Sequence, residues 1–256
     1  MNITTSLLST AIIAGSVLLT ACGGDSDNAS NPNLENNNGL DYIFKVEVTN
    51  LTYAQPLSPP ALVLHNDSYT LFAEGTTASI ALEELAESGS NSTLLQEAQS
   101  YNSVFHTLSG DSIILPGSSQ AFTLSLEADF DHDLGGNLGD ELDTLKLSLI
   151  TMLVNTNDGF TGEKNIDLSS LEVNQYQTYN GPVWDSGTEE NSESSDSIPG
   201  PAANGEGFNA SRENDVNKVV FHSGVVSMDD GLASSSLTQA HRFNQPASRI
   251  KITRVQ

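Results

Sequence analysis

The sequence predicts an all-β protein, an antiparallel β-sandwich with one or two short helices. Three observations favour this fold class: many short segments alternate apolar and polar residues, the joins between them are rich in turn residues, and one stretch alone has a convincing helical pattern. The alternation is clearest where Phe44, Val46 and Val48 are separated by Lys45 and Glu47. A period of two residues is typical of a strand with one buried face.

Further short strands follow along the chain. Three prolines, Pro56, Pro59 and Pro60, lead into the strand predicted at 61–64, and they confine that strand to a sheet edge or to a strand start because proline lacks the N–H of a ladder hydrogen bond. The remaining strands are predicted at 122–126, 145–154, 166–168, 176–179, 218–221 and 249–255.

The helical segment is predicted at 78–87, with Thr77 as the N-cap and Gly89 as the residue that ends it. A turn or two of a second helix is predicted at 93–99. The segment 189–208 is rich in Ser, Glu, Asn, Pro and Gly, and this composition predicts a long mobile loop.

The net charge of −24, with nine Lys and Arg against 33 Asp and Glu, excludes nucleic acid and anionic lipid surfaces as direct partners. So many carboxylates repel one another in the compact state, and bound divalent cations would relieve that repulsion. Composition alone favours the alternative that the acidic surface serves solubility.

The first 21 residues have the apolar, small-residue character of a signal peptide, and Leu19-Thr20-Ala21-Cys22 looks like a bacterial lipobox. Cys22 is the only cysteine, so we expect it to be the lipidated first residue of the mature protein, although no Lys or Arg precedes the apolar run. Residues 22–40 are predicted to form a disordered tether and 41–256 the folded domain. The glycines after Cys22 favour an outer-membrane lipoprotein of the bacterial cell envelope, periplasmic or surface-exposed.

The candidate metal ligands lie in two glycine-containing loops. Asp158 follows the apolar strand predicted at 145–154, and Asp185 and Glu189 flank Gly187 after Trp184. Hard oxygen donors on flexible loops suit Ca²⁺, which takes six to eight oxygens with little angular demand. The three acids converge only if the loops are neighbours, and solvated loop acids are the alternative.

Several motifs occur together in order from about residue 42 to residue 255. In this arrangement the chain resembles the spondin domain in its bacterial lipoprotein branch. The segments that carry the resemblance are VEVTNLT at 46–52, FAEGTTAS at 72–79, MLVNTNDGFTG at 152–162, WDSGTE at 184–189 and HRFNQPASRI at 241–250.

The resemblance implies a C2-like β-sandwich that holds calcium in loops at one end, in a non-enzymatic family with extracellular matrix and adhesion roles. The calcium aspartates of the family fall on Asp158 and Asp185, and the third falls on Glu189, where the family has Asp. Glu190 or Asp196 is an alternative third ligand. The expected affinity is about 10⁻⁴–10⁻³ M, as in other extracellular modules. The expected function is therefore a lipid-anchored, calcium-binding adhesion or interaction module whose partner is an extracellular or envelope protein or glycan.

A second acidic run lies at 129–141. It superficially matches an EF-hand loop, but Leu134 and Asp140 stand where that loop requires Gly and Glu. A solvated hairpin loop is favoured there over a second calcium site.

The alternative function is a serine hydrolase-like enzyme that uses Ser112, because Gly110-Asp111-Ser112-Ile113 resembles the nucleophile block of GDSL-type hydrolases. Asp129 and His132 would be its partners, and their closeness in sequence argues against it. Three histidines, His65, His222 and His241, allow a transition-metal or acid–base cluster, but structural roles are favoured for them.

Overall fold

The computed structural model describes residues 40–128, 142–211 and 215–256. Two antiparallel sheets of four and six strands form a β-sandwich, and two short α-helices accompany them, which confirms the predicted fold class. The strands are β1 (Leu40–Asn50), β2 (Ala61–His65), β3 (Val104–Ser109), β4 (Ser119–Ala128), β5 (Lys146–Met152), β6 (Gly159–Asp167), β7 (Tyr176–Gly181), β8 (Val183–Asp185), β9 (Val220–Phe221) and β10 (Ser248–Arg254). The α-helices are α1 (Ile80–Ser88) and α2 (Ser92–Gln99), and two 3₁₀-helices span Met228–Asp230 and Gln239–His241.

The four-stranded sheet has the order β4-β1-β10-β7. Phe44, Val46 and Val48 of β1 are fully buried, and Val46 pairs with Ile252 on one side and with Phe122 on the other. The alternation in the sequence therefore corresponds to one face on the core and one face in solvent, as predicted.

The six-stranded sheet has the order β3-β2-β5-β6-β8-β9, and its strands β2 and β5 are buried on both faces. Leu149 of β5 packs in the core between the sheets, whereas Ile150 packs in a second cluster with Leu82 and Leu85 of α1. Because both faces are covered, the strand reads as a continuous apolar run in the sequence.

Of the two positions that the prolines allow for β2, a sheet edge or a strand start, the structure has the strand start, because β2 lies between β3 and β5 and begins directly after Pro60. Pro59 and Pro60 precede its first residue, so they remove no ladder hydrogen bond from the strand. Its residues are fully buried on both faces, Leu62 and Leu64 between the sheets and Val63 beneath the helices.

The N-cap of α1 is Ser79 rather than Thr77. The Oγ of Ser79 accepts a hydrogen bond from the backbone N–H of Leu82 at 3.2 Å. Gly89 ends the helix as predicted, with φ +74° and its N–H bonded to the carbonyl of Leu85.

The structure corrects the prediction of two loops. The acidic segment after β5 returns to the sheet at once, because Gly159 opens β6 and Gly162 lies inside that strand. In 189–208, Ile198 is fully buried and packs against Val225 and Leu237, so this polar segment is anchored to the rest of the domain.

Candidate functional site

Asp158 lies in the tight turn that joins β5 to β6. The backbone N–H of Leu153 bonds to the carbonyl of Gly159 at 2.8 Å, and the Oγ1 of Thr156 accepts the N–H of Gly159 at 2.9 Å. These bonds fix the carboxyl group of Asp158, which is completely buried.

Strand pairing brings Asp185 to the same place. Gly159 of β6 lies opposite Asp185 of β8 in the antiparallel register, and Trp184 anchors β8 in the cluster under the helices. Gln245 holds the other end of β8, because its side chain accepts the N–H of Val183 at 3.0 Å and donates to the carbonyl of that residue at 3.2 Å. The two aspartates that the sequence singled out are therefore neighbours at one end of the six-stranded sheet.

The loop after β8 folds over Asp158. The Oδ2 of Asp158 accepts three hydrogen bonds: from Ser186 Oγ at 2.9 Å, from the N–H of Thr188 at 2.9 Å and from the N–H of Glu189 at 3.2 Å. The Oδ1 atom is buried and has no hydrogen-bond partner among the described residues. One oxygen thus orders the loop while the other has no protein donor.

The carboxyl group of Asp185 is held at both oxygens. Its Oδ1 accepts the N–H of Gly187 at 2.8 Å, and its Oδ2 accepts the side-chain amide of Asn191 at 2.6 Å. Gly187 has φ +71°, and a Cβ there would lie 2.4 Å from the carbonyl oxygen of Lys218, so this turn requires glycine.

Glu189 is buried beside the aspartates, and its Oε1 accepts the side-chain amide of Asn157 at 3.1 Å. The same amide donates to Ser197 Oγ at 2.7 Å. Within the described ranges, no three His, Cys, Asp or Glu side chains form a group that holds a metal by themselves. The three predicted ligands thus share one region without forming a preassembled three-carboxylate cage.

The sequence analysis did not single out Glu193 and Asn191, which also belong to this region. Glu193 is buried, and its Oε1 accepts the N–H of Val226 at 3.0 Å. Neither the second oxygen of Glu193 nor the Oδ1 of Asn191 has a hydrogen-bond partner in the described part of the chain. Both residues lie in the segment predicted to be mobile, and no sequence signal marks a carboxylate that becomes buried.

The buried acids perturb one another electrostatically. Burial raises the pKa of Asp158, and the nearby charge of Asp185 raises it further, against the opposing effect of the three hydrogen bonds. Burial raises the pKa of Glu193 to about 7, with a further contribution from Asp185. Burial likewise lowers the pKa of His222, although Asp185 opposes that effect. A charged state of the whole group therefore requires a compensating positive charge.

The buried oxygens of this region are of the chemical type that a hard cation takes. Asp158, Asn191 and Glu193 each carry a buried oxygen without a donor from the described residues, and Asp185 lies among them. Carboxylate and amide oxygens are the donors that Ca²⁺ takes, and it accepts additional backbone oxygens or water. We call this set of residues, Asp158, Asp185, Glu189, Asn191 and Glu193, the acidic rim.

Four predicted features lie outside the described residues: the signal peptide at 1–21, the lipidation residue Cys22, the tether at 22–40 except for its last residue, and the acidic run 129–141. No helix in the described part of the chain is long and apolar enough to cross a membrane.

The hydrolase hypothesis gains nothing from the described residues. Ser112 is exposed, and its Oγ accepts a hydrogen bond from the side chain of Gln120 at 3.1 Å. Its predicted partners, Asp129 and His132, lie outside the described ranges.

The three histidines do not form a metal cluster in the described structure. His65 is buried with its Nε2 at 2.8 Å from Ser148 Oγ and its Nδ1 at 2.8 Å from the carbonyl oxygen of Asn66. His222 accepts the N–H of Gly224, and His241 accepts the N–H of Thr238. Each histidine thus stabilises its own local backbone or strand.

The model of the Spondin_N family matches residues 58–228 of the chain, which cover β2 to β9, α1, α2 and the whole acidic rim. No curated protein matches the chain.

Proposed function

Because the chain belongs to the Spondin_N family, we propose that it is an extracellular interaction module whose acidic rim binds calcium. Membership of this family supports the extracellular interaction role. The rim supports calcium, since two of its buried carboxylates and one side-chain amide each have an oxygen atom without a donor among the described residues.

Asp158 and Asp185 would hold the ion, and Glu189 would be the third carboxylate ligand, as the family resemblance implies. Glu189 lies beside this pair, because its Oε1 accepts the side-chain amide of Asn157, the residue before Asp158. Bound calcium supplies positive charge that allows these acids to ionise together. Asp158 meanwhile keeps the loop at 186–189 ordered through its Oδ2.

We further propose that lipid attachment at Cys22 anchors the protein to the bacterial envelope as an outer-membrane lipoprotein. The lipobox sequence and the single cysteine support this proposal. The partner would be an extracellular or envelope protein or glycan. Mass spectrometry of the wild type and of Cys22→Ser, both expressed with the leader, tests the lipidation. The wild type should carry the added mass of the lipid at Cys22, and a wild type without that added mass would refute the proposal.

The calcium proposal is tested by thermal unfolding of the folded domain in excess calcium and in EGTA. The wild type should unfold at a higher temperature with calcium, and Asp158→Asn and Asp185→Asn should lose that difference. Asp111→Asn is a matched control, because it removes one negative charge at an exposed position outside the acidic rim. Equal unfolding midpoints for the wild type with calcium and with EGTA would refute calcium binding.

A further inference from the structure

A second concave site lies on the helical side of the six-stranded sheet. It is a pocket of about 310 Å³ between the segment at 68–79 and the helices α1 and α2. Its floor is apolar: Phe72, Leu82 and Leu94 are buried and line it. It shares no residue with the rim.

Two tyrosines form one wall of the pocket. The rings of Tyr69 and Tyr101 pack edge to face, with centroids 5.5 Å apart and an interplanar angle of 62°. Tyr69 is also packed edge to face on His65 at 5.1 Å, and it is only 8% exposed, whereas Tyr101 is 48% exposed. The inner ring is therefore held in place by buried neighbours while the outer ring faces the opening.

The one charged residue among the described pocket-lining residues is Glu97. Glu97 lies in the last turn of α2, Tyr101 follows the end of that helix, and both residues line the pocket. Its carboxylate has no ion-pair partner among the described residues. The charge of Glu97 acts on the buried ring of Tyr69. Burial raises the pKa of Tyr69, and the charge of Glu97 raises that pKa further.

Aromatic faces, a carboxylate and an apolar floor together match the chemistry that recognises an organic ammonium ion. A cation near the face of a tyrosine is attracted by the ring quadrupole, and a desolvated site strengthens the attraction. The same kind of interaction occurs at Phe72, where the Nζ of Lys164 lies 4.6 Å from the centroid of the ring. The net charge of −24 further favours a cationic ligand.

We propose that this pocket binds a small, free organic ammonium compound, with its cationic head between Tyr69, Tyr101 and Glu97 and its apolar body against Leu82 and Leu94. A free compound fits better than the headgroup of a membrane lipid. An anionic membrane surface would repel a protein of this charge, and a pocket of about 310 Å³ has room for only a small ligand.

The test is calorimetric titration of the folded domain with choline and with 3,3-dimethyl-1-butanol, its uncharged isostere. Choline should bind saturably, and the isostere should bind about tenfold more weakly or not at all, since it lacks the charge. Failure of choline to bind saturably at millimolar concentration, or equal binding of the two compounds, would overturn the proposal.

Substitutions of residues that line the pocket test whether choline binds there. Tyr101→Leu and Glu97→Gln should each weaken choline binding about tenfold. Asp111→Asn is the matched control for net charge, because Asp111 is exposed and does not line the pocket. An equal loss in Asp111→Asn and Glu97→Gln would show general electrostatic attraction and would overturn the site. Unchanged unfolding midpoints of the variants confirm that they fold, and Asp158→Asn should retain full choline binding, which separates this pocket from the calcium rim.

Discussion

The Oδ2 atom of Asp158 accepts the backbone N–H of Thr188 at 2.9 Å, so a side chain at a hairpin turn holds the backbone of a loop thirty residues later. The same atom accepts the N–H of Glu189. Both amides are buried, and they would lack an acceptor without this carboxyl group.

Two substitutions separate this structural role from ion binding. Asp158→Asn keeps an oxygen that accepts both amides and removes the charge, so it should abolish the calcium response while changing the stability in EGTA by less than about 1 kcal/mol. Asp158→Ala leaves two buried N–H groups unpaired and should cost about 2–4 kcal/mol in EGTA. Urea unfolding measures both free energies, and equal values for the two variants would contradict the role assigned to Oδ2.

Glu189 and Glu190 are adjacent in sequence but differ in burial, since Glu189 is buried and Glu190 is exposed. Glu189→Gln should therefore weaken calcium binding about tenfold, whereas Glu190→Gln should change it less than about twofold. The dissociation constants follow from calcium titrations monitored by calorimetry. The opposite order would assign the third ligand to Glu190.

The stability should depend on pH through Glu87, a residue of α1 that is only 1% exposed. Burial raises its pKa to about 7, so the folded state favours the protonated form. The contribution of Glu87 to the free energy of unfolding is fully present below about pH 4.5, the pKa of a glutamate in the unfolded chain. This contribution is lost as the pH rises through about 7.

Glu87→Gln removes the ionisation and should reduce the loss of stability between pH 5 and pH 8 by about 1–3 kcal/mol. Asp111→Asn, at an exposed position, should leave the pH profile unchanged. Urea unfolding at the two pH values provides the comparison, and parallel wild-type and Glu87→Gln profiles would show that Glu87 does not contribute.

Two glycines with positive φ should respond differently to alanine. At Gly162 in β6, φ is +149° and a Cβ would lie 1.9 Å from the carbonyl oxygen of Leu149, whereas at Gly75 φ is +75° and no atom lies within 4 Å. Gly75→Ala should cost about 1 kcal/mol from backbone strain, and Gly162→Ala should cost at least about 3 kcal/mol or prevent folding. Circular dichroism and thermal unfolding distinguish the outcomes, and similar midpoints would mean that the strands separate easily at Leu149.

Trp184 is the only tryptophan of the chain, and the exposed ring of Phe221 stacks on it with centroids 4.2 Å apart. Phe221→Ala should shift the fluorescence emission of the folded protein to longer wavelength, because Trp184 loses this cover, and should cost about 1–2 kcal/mol. Val216→Ala is a control at another exposed apolar position. An unchanged emission maximum in Phe221→Ala would mean that the stack does not persist in solution.

The sequence predicted the features that depend on local chemistry. The alternation of Phe44, Val46 and Val48 identified β1, and Gly89 marked the end of α1 because the αL conformation favours glycine. The position of β2 was not predictable from its prolines, since the helices that cover its outer face come later in the chain.

The candidate site likewise contains residues that the sequence marks and residues that it does not mark. Asp158 and Asp185 follow apolar segments and stand next to glycine or tryptophan, so the sequence marks them, and pairing of β6 with β8 brings them together. Glu193 and Asn191 reach the rim only because their polar segment is packed by Ile198. A single buried isoleucine within a Ser-rich stretch carries no periodicity, and β8, with three residues, is too short to show a strand pattern.

Burial of β5 on both faces has a consequence for amide hydrogen exchange. The N–H groups of β5 lie between two strands and under two apolar layers, so they exchange only when the whole domain opens. The N–H groups of Thr188 and Glu189 are bonded to one carboxyl oxygen, so a local opening of the loop suffices to exchange them. The protection of the Thr188 and Glu189 amides gives the free energy of opening the loop, and the protection of the β5 amides gives that of unfolding the domain.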